Sequence, residues 1–330
     1  MMKDFPSPQE LLARFVSRPT VNGGERPLAL DIARLARGLG MEAVVQDLGD
    51  DRANVYAHIG QGPCLLLCGH LDVVPAEGEW ASDPFTLAQA GECYVGRGCV
   101  DMKGAIAAML YAAARQIQKG LPGMRLALLF VADEESGNLG MKHFLKMLPF
   151  PVDACVIGEP TELEVAVAHK GMARFFVELF GKAAHASLPD AGVNALTLAA
   201  RAILALEAEN QKLAADLHPL LPPRTVCVTM ARGGERENIL PGYAELLVDL
   251  RLFPGDTEKT AADTLRRALW PLKGKDFSHS LRPHRYLPGG GLAPDHPWVQ
   301  AACRLTGRAR GRGCSPVEFR ASCEQALMLL

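Results

Sequence analysis

Two spacings of apolar residues organise the first half of the chain. Positions 8–17 and 25–39 repeat apolar side chains every three or four residues and predict helices, the second stopped by Gly40. Residues 53–59 and 64–68 are short apolar runs and predict strands. Residues 75–98 are rich in proline, glycine and acids and predict a long loop, with a hairpin around 92–95. The alanine-rich stretch 103–118, closed by Gly120, predicts a helix. The unbroken apolar run 124–132 predicts a strand covered on both faces. A helix over 139–147 and a strand over 153–157 follow. This alternation of strand and helix predicts an α/β fold on a largely parallel sheet.

The second half has a different texture. Residues 163–180 hold two strand-like runs separated by the turn HKG. A helix over 192–210, a proline-rich loop, strands over 225–231 and 243–252 and a helix over 257–270 come next. This order fits a small α+β layer. Residues 287–297 read as a linker and 297–306 as the last helix, and the remaining tail shows no periodic core segment. The expected division is one domain from 1–173 with 285–330, and an inserted domain over 174–284.

Composition narrows the class. With 330 residues, 48% of them hydrophobic, the chain has enough apolar surface for two cores. A formal net charge of −2 argues against nucleic acid and against an anionic membrane surface as partners. The start, MMKDFPSPQE, lacks the apolar region of a signal peptide, and no apolar run approaches the ~18 residues of a membrane span. Nine scattered cysteines without a CxxC pair fit reduced thiols in a cytoplasm and disfavour a thiolate zinc site.

The chemistry sits at strand ends. His70 and Asp72 follow CLLLCG, Asp101 lies in GRGCVDMKG, Glu134 and Glu135 follow LALLFVAD, and Glu159 opens GEPT. The carboxyl ends of strands in an open α/β sheet are where ligands bind, so residues more than 80 positions apart are expected to converge. His70 suits a metal ligand whose other ring N–H is held by Asp72, although a core histidine beside a turn aspartate is the plain alternative. Asp101 suits either a helix N-cap or a carboxylate bridging two cations. Two adjacent acids at the end of an apolar run repel and desolvate badly without a cation. One of Glu134 and Glu135 then binds metal while the other acts as general base; a solvated turn is the alternative. Glu159, His185, Asn238 and Arg251 each have an ordinary reading as strand-end, surface or turn residues. Asn238 and Arg251 also suit a substrate carboxylate.

Taken in order, GHLDVVP, Trp80 with Pro84 and Phe85, GRGCVDMKG, DEESG, GEPT, HKG, GKAAHAS, GVNA and the NILPG…DLR pair resemble the M20 metallopeptidase family. The acetylornithine deacetylase and succinyl-diaminopimelate desuccinylase branch is the most similar, over residues 8 to 306. The resemblance implies a zinc-peptidase-like catalytic domain with an inserted lid or dimerisation domain. It implies two divalent metal ions, zinc or else cobalt or manganese. His70 and Glu159 would hold one, Asp101 would bridge, and Glu135 would hold the other. Glu134 would be the general base and Asp72 would orient His70. His185 would polarise the scissile carbonyl across a homodimer, and Asn238, Arg251 and Lys170 would contact substrate. The implied activity is hydrolysis of the amide bond of a small N-acyl amino acid or peptide in the cytoplasm. The tail departs from the family pattern. After Gly307 there is no Asp-Ala-Arg turn or GPG-type loop, and no histidine follows His296, so the second metal position is expected to lack a ligand. A homologue that binds metal or ligand without turnover, inactive or C-terminally truncated, is the competing expectation.

Overall fold

A computed structural model describes residues 5–272, 274, 276–319, 321 and 323–328. The described residues form two compact units, one over 5–163 with 323–328 and the other within 164–321.

The first unit starts with helices α1 (Pro8–Val16) and α2 (Arg26–Gly38). Ser7 and Glu10 form a capping box that satisfies amides at the start of α1. There follow strands β1 (Glu42–Gly49), β2 (Arg52–Gly60) and β3 (Cys64–His70), then the small hairpin β4 (Ala88–Ala90) and β5 (Cys93–Val95). Helix α3 (Lys103–Lys119), strand β6 (Arg125–Val131), helix α4 (Leu139–Leu145) and strand β7 (Ala154–Ile157) complete the series. The sheet order is β1-β2-β6-β3-β7. β3 runs parallel to both β6 and β7, whereas β2 runs antiparallel to β6 and to β1. The sheet is therefore mixed, with its parallel part confined to three strands. Alternation along β6 feeds two cores. Leu126, Leu128 and Phe130 pack with α1, α2 and α3, while Ala127, Leu129 and Val131 pack with Met141 and Phe144 of α4. A buried strand of this kind reads as a continuous apolar run.

The second unit contains β8 (Val165–His169), β9 (Gly171–Phe180), β10 (Ala184–His185), α5 (Ala195–Leu213) and β11 (Thr225–Gly233). It continues through β12 (Ile239–Leu240), β13 (Tyr243–Leu252), α6 (Glu258–Leu269) and β14 (Ser278–Leu287). β15 (Gly290–Gly291), α7 (Pro297–Arg310) and β16 (Pro316–Phe319) end it. An antiparallel sheet of order β11-β13-β9-β14 buries one face under α5 and α6. A smaller sheet, β15-β8-β16, packs Val167 against Val299 and Cys303 of α7.

Six of the described strands lie outside the expected elements: the two-residue β10, β12 and β15, and three longer ones. β1 is half exposed and weakly apolar, and β14 is a polar edge strand whose Pro283 sits at a bulge, a placement open to proline at a sheet edge. β16 falls in the tail expected to lack a core segment, yet it pairs in parallel with β8. Beyond it, Ala326 is buried and Leu327 and Met328 pack beside Met141 and Phe144.

Candidate metal centre

Parallel pairing brings three strand ends to one edge of the first unit. His70 closes β3 opposite Val131 of β6, and Cys68 faces Ile157 of β7 two residues before Glu159. Asp101 enters from the turn before α3. Ligand atoms of His70, Asp101 and Glu159 all lie within 4.8 Å of one another. His70 is 1% exposed, whereas the Asp101 side chain is 47% exposed, so the centre has a buried and an open side.

The proton inventory of His70 is restrictive. Its Nδ1 lies 2.9 Å from the Asp72 carbonyl oxygen, which can only accept, so Nδ1 carries a proton. Its Nε2 lies 2.8 Å from Asp101 Oδ1 and 3.9 Å from Glu159 Oε1. In the neutral ring that places acceptor against acceptor. Either a second proton or a cation resolves the conflict, and a cation suits an imidazole and two carboxylates. Without a cation, burial alone would lower His70, but Asp101, Asp72, Glu159 and Glu134 outweigh it and raise the ring well above its ordinary value.

Asp72 does more than orient a ring. Its carboxylate lies 3.6 Å from His70 Nδ1, and the ring is held by the Asp72 backbone carbonyl instead. The carboxylate accepts the backbone N–H groups of Glu134 at 3.1 Å and Glu135 at 3.0 Å. The physical reason is chain direction. β3 ends at His70, so the strict alternation that would align the two side chains stops before Asp72.

The turn carrying Glu134 and Glu135 is braced from β2. Asn54, fully buried, accepts from the Ala132 amide at 3.0 Å and donates to Gly140 O at 2.9 Å, closing the ends of the turn. Arg52, on the same face of β2, reaches Asp133 Oδ1 at 2.9 Å and Glu25 Oε1 at 3.1 Å. Asp133 in turn accepts from the amides of Gly137 and Leu139. Asp133 itself has φ 66°, a left-handed conformation that needs such support in a non-glycine residue.

Glu134 faces a second group. Its carboxylate, with those of Glu159 and Glu324, forms a set within 4.8 Å, so Glu159 is common to both groups. Burial pushes Glu134 up to about 9, with Glu324 adding to the rise, and pushes Glu159 up to about 8. Burial also raises Glu135, which is half-buried and belongs to neither group. Among the described residues the second group contains no histidine. His296 is engaged elsewhere, capping α7 by accepting from the Trp298 amide at 3.2 Å.

The remaining expected residues lie in the second unit. His185 on β10 pairs in register with Ile239, and Asn238 O accepts from the Ala186 amide, so His185 and Asn238 are neighbours. His185 is exposed, with Nδ1 2.8 Å from Ser187 Oγ. Arg251 on β13 donates to Asp249 at 2.9 Å. The Lys170 ammonium donates to Pro223 O, and burial lowers its pKa, with nearby Glu318 opposing and Arg251 assisting. Glu25, Arg52, Asn54 and Glu324 also belong to the site or its support and stand outside the motifs of the sequence. The first three carry no motif, and their signal is pairing across 27 to 86 positions. Glu324 had one cue, a lone acid just before the apolar stretch ALMLL.

The chain matches the model of peptidase family M20/M25/M40 over residues 66–328, so the likeness extends past 306 and includes Glu324. It is 32% identical over 288 residues to the acetylornithine deacetylase of Vibrio parahaemolyticus, covering 85% of this chain and 76% of that one. The enzyme of the same name from Vibrio vulnificus is 33% identical over 298 residues, with 88% and 79% covered. Among solved structures, aminopeptidase PepT from Bacillus cereus aligns with TM-score 0.80 at 18% identity, covering 96% of this chain and 85% of that one. A dinuclear metal binding peptidase of the M20 family from Bacillus subtilis aligns at 0.72 and 17%, covering 97% and 84%. With the convergence of His70, Asp101 and Glu159, these likenesses lead to one conclusion: the chain belongs to peptidase family M20/M25/M40 and is a metal-dependent hydrolase of amide bonds.

Proposed function

We propose that the substrate is a small N-acylated amino acid, with N-acetylornithine the first compound to test. The observation that carries this reading is the His70, Asp101 and Glu159 group at the parallel strand ends, together with the likeness to acetylornithine deacetylases. His70, Asp101 and Glu159 would hold the first cation, zinc or else cobalt or manganese, and Glu135 would lie toward the second. A bound divalent ion polarises the amide carbonyl and lowers the pKa of water at the site.

Glu134 is the proton carrier in this reading. It takes a proton from the attacking water and returns it to the leaving amine. Its amide is fixed by Asp72, so the carboxylate is aimed by a buried anchor rather than by a free turn. His185 would stabilise the carbonyl oxygen as charge develops, with Asn238 beside it. Arg251 and Lys170 would bind the substrate carboxylate, for which a guanidinium fork is suited. Residues 174–284 act as the lid.

A homodimer through that lid is the proposed assembly. β11 is an edge strand with an exposed outer half, and α5 leaves Leu196, Ile203 and Leu204 exposed beside it. An open edge with apolar neighbours favours pairing with a second copy. No described helix is long and apolar enough to cross a membrane, and the nine cysteines form no disulfide, which suits a cytoplasmic protein. The test is turnover of N-acyl amino acids by metal-loaded protein. Glu134→Gln should cost about 10²–10⁴ in kcat with zinc at His70 retained. Full metal loading with no turnover of any N-acyl amino acid or dipeptide would favour the non-catalytic alternative.

A further inference from the structure

Helix α7 is capped by Gly311 in a left-handed conformation, φ 66°, and the Arg312 amide donates back to Gly307 O at 3.2 Å. The chain therefore reverses along the helix. Cys303 and Gly307 stand four residues apart on one helix face. A Cβ at position 307 would lie 3.7 Å from Cys314 Cβ, so the glycine lets Cys314 settle against the face that holds Cys303. Both cysteines pack in one small apolar cluster with Val167 and Val299. Cys303 is 7% exposed and Cys314 half-buried, and their thiols interact directly. Burial raises Cys303, and Cys314 adds to the rise. The Arg310 side chain, 6% exposed, donates to Glu164 Oε1 at 2.6 Å and also reaches Cys314.

The pair opens on a cleft of about 520 Å³ lined also by Arg304, Arg308 and Arg312, with no acid in its wall among the described residues. Arg312 shares Glu164 at 3.5 Å, whereas the exposed Arg304 and Arg308 have no ion-pair partner among the described residues. We propose that Cys314 and Cys303 form a thiol–disulfide exchange site for small disulfides that carry carboxylates. The arginines draw the ligand's carboxylates into the cleft. Cys314, the more open sulfur and the one beside a guanidinium, attacks as the thiolate. A new S–S bond forms to one sulfur of the ligand, the ligand's own S–S bond breaks, and the departing thiolate takes up the proton that Cys314 lost. Cys303 then attacks the Cys314 sulfur in the same way and releases the second small thiol. Two protein thiols are oxidised to one bridge, and one small disulfide is reduced to two thiols. Gly311 and Gly313 beside Cys314 give the loop freedom to reach the Cβ–Cβ spacing of about 3.5–4.5 Å that a bridge needs. In a reducing compartment such a bridge is transient.

The test treats the whole chain, its thiols reduced beforehand, with oxidised glutathione and locates the products by peptide mapping and mass spectrometry. The wild type should yield a peptide cross-linked between Cys303 and Cys314. Cys303→Ser should instead hold one glutathionyl group on Cys314, because the second step is missing. Cystamine, a small disulfide of opposite charge, should bridge the pair at least about tenfold more slowly at low salt. That gap should close at high salt and in the double variant Arg304→Gln with Arg308→Gln. The melting temperature gives a second readout: treatment should raise it in the wild type and not in Cys303→Ser. Should Cys303→Ser fail to fold, the wild-type map and the two wild-type rates decide alone. Glutathionylation confined to the exposed Cys93 and Cys227, with Cys303 and Cys314 still reduced, overturns the proposal. Equal rates for the two disulfides overturn it as well, because the arginines would then select nothing.

Discussion

Arg52→Met tests the brace behind the Glu134 turn. Arg52 is the cation facing both Glu25, 0% exposed, and Asp133, 12% exposed, at 3.1 and 2.9 Å. Methionine keeps the length of the stem and removes the charge, leaving two buried carboxylates facing each other's field. Breaking a buried pair by removing one partner costs about 3–5 kcal/mol. Here one cation serves two acids, but Glu25, already pushed up to about 7, takes up a proton when the cation is lost, which places the loss at the lower end, against a typical total of about 5–15 kcal/mol. Urea unfolding followed by circular dichroism measures the loss, and hydrogen exchange should localise it to β2, β6 and residues 132–140. Adding Glu25→Gln to Arg52→Met removes one stranded carboxyl group and should recover part of it, a coupling of about 0.5–3 kcal/mol. A loss below about 1 kcal/mol, or strict additivity in the double variant, would show that solvent already screens the triad and that the turn is held by other means.

Further outcomes follow from the same contacts. Gly140→Ala should destabilise severely, because a Cβ there would meet Asn54 Oδ1 at 2.3 Å and Ala132 O at 2.5 Å; a melting temperature near wild type would disprove the close packing. Asn54→Leu should cost about 1–3 kcal/mol through the stranded Ala132 amide, read by urea midpoint. Burial pushes Glu25 up to about 7 from 4.5. The folded state thus keeps this proton longer than the unfolded chain does. The contribution to stability is full below pH 4.5 and is lost as pH rises to about 7, by about 3 kcal/mol. Glu25→Gln should flatten the stability profile over that window, and an unchanged slope would reject the shift. His185→Ala should lower kcat on an N-acyl amino acid while leaving the metal content of the protein unchanged.

Much of the first unit is legible in the sequence because its strands are buried on both faces. The run LALLFV cannot form a half-exposed surface, and its end marks where the acids gather. His70 and Glu159 are legible as polar groups at or just past strand ends because parallel pairing aligns such ends, and Asp101 is legible through the glycine-rich turn before α3. The second use of Asp72, as acceptor for two turn amides, is not legible. It depends on where β3 stops, and the apolar pattern does not mark that residue. β14 is hidden by its polar composition and by Pro283, which a sheet edge tolerates. Arg52, Glu25 and Asn54 read as ordinary polar residues because their partners are distant in sequence. The tail misleads for another reason. Glu324 is positioned by a handful of apolar contacts at 326–328, too few to show periodicity.

The central claim is that a cation held by His70, Asp101 and Glu159 serves amide hydrolysis with Glu134 as the proton carrier. The most direct measurement is steady-state turnover of N-acetylornithine and a panel of N-acyl amino acids by zinc-loaded wild type and Glu134→Gln, with zinc quantified in the same samples. The account predicts measurable wild-type turnover, a fall in kcat of about 10²–10⁴ in the variant and equal zinc at the His70 group. Equal turnover in both proteins, or wild-type turnover that survives complete removal of metal, would contradict it.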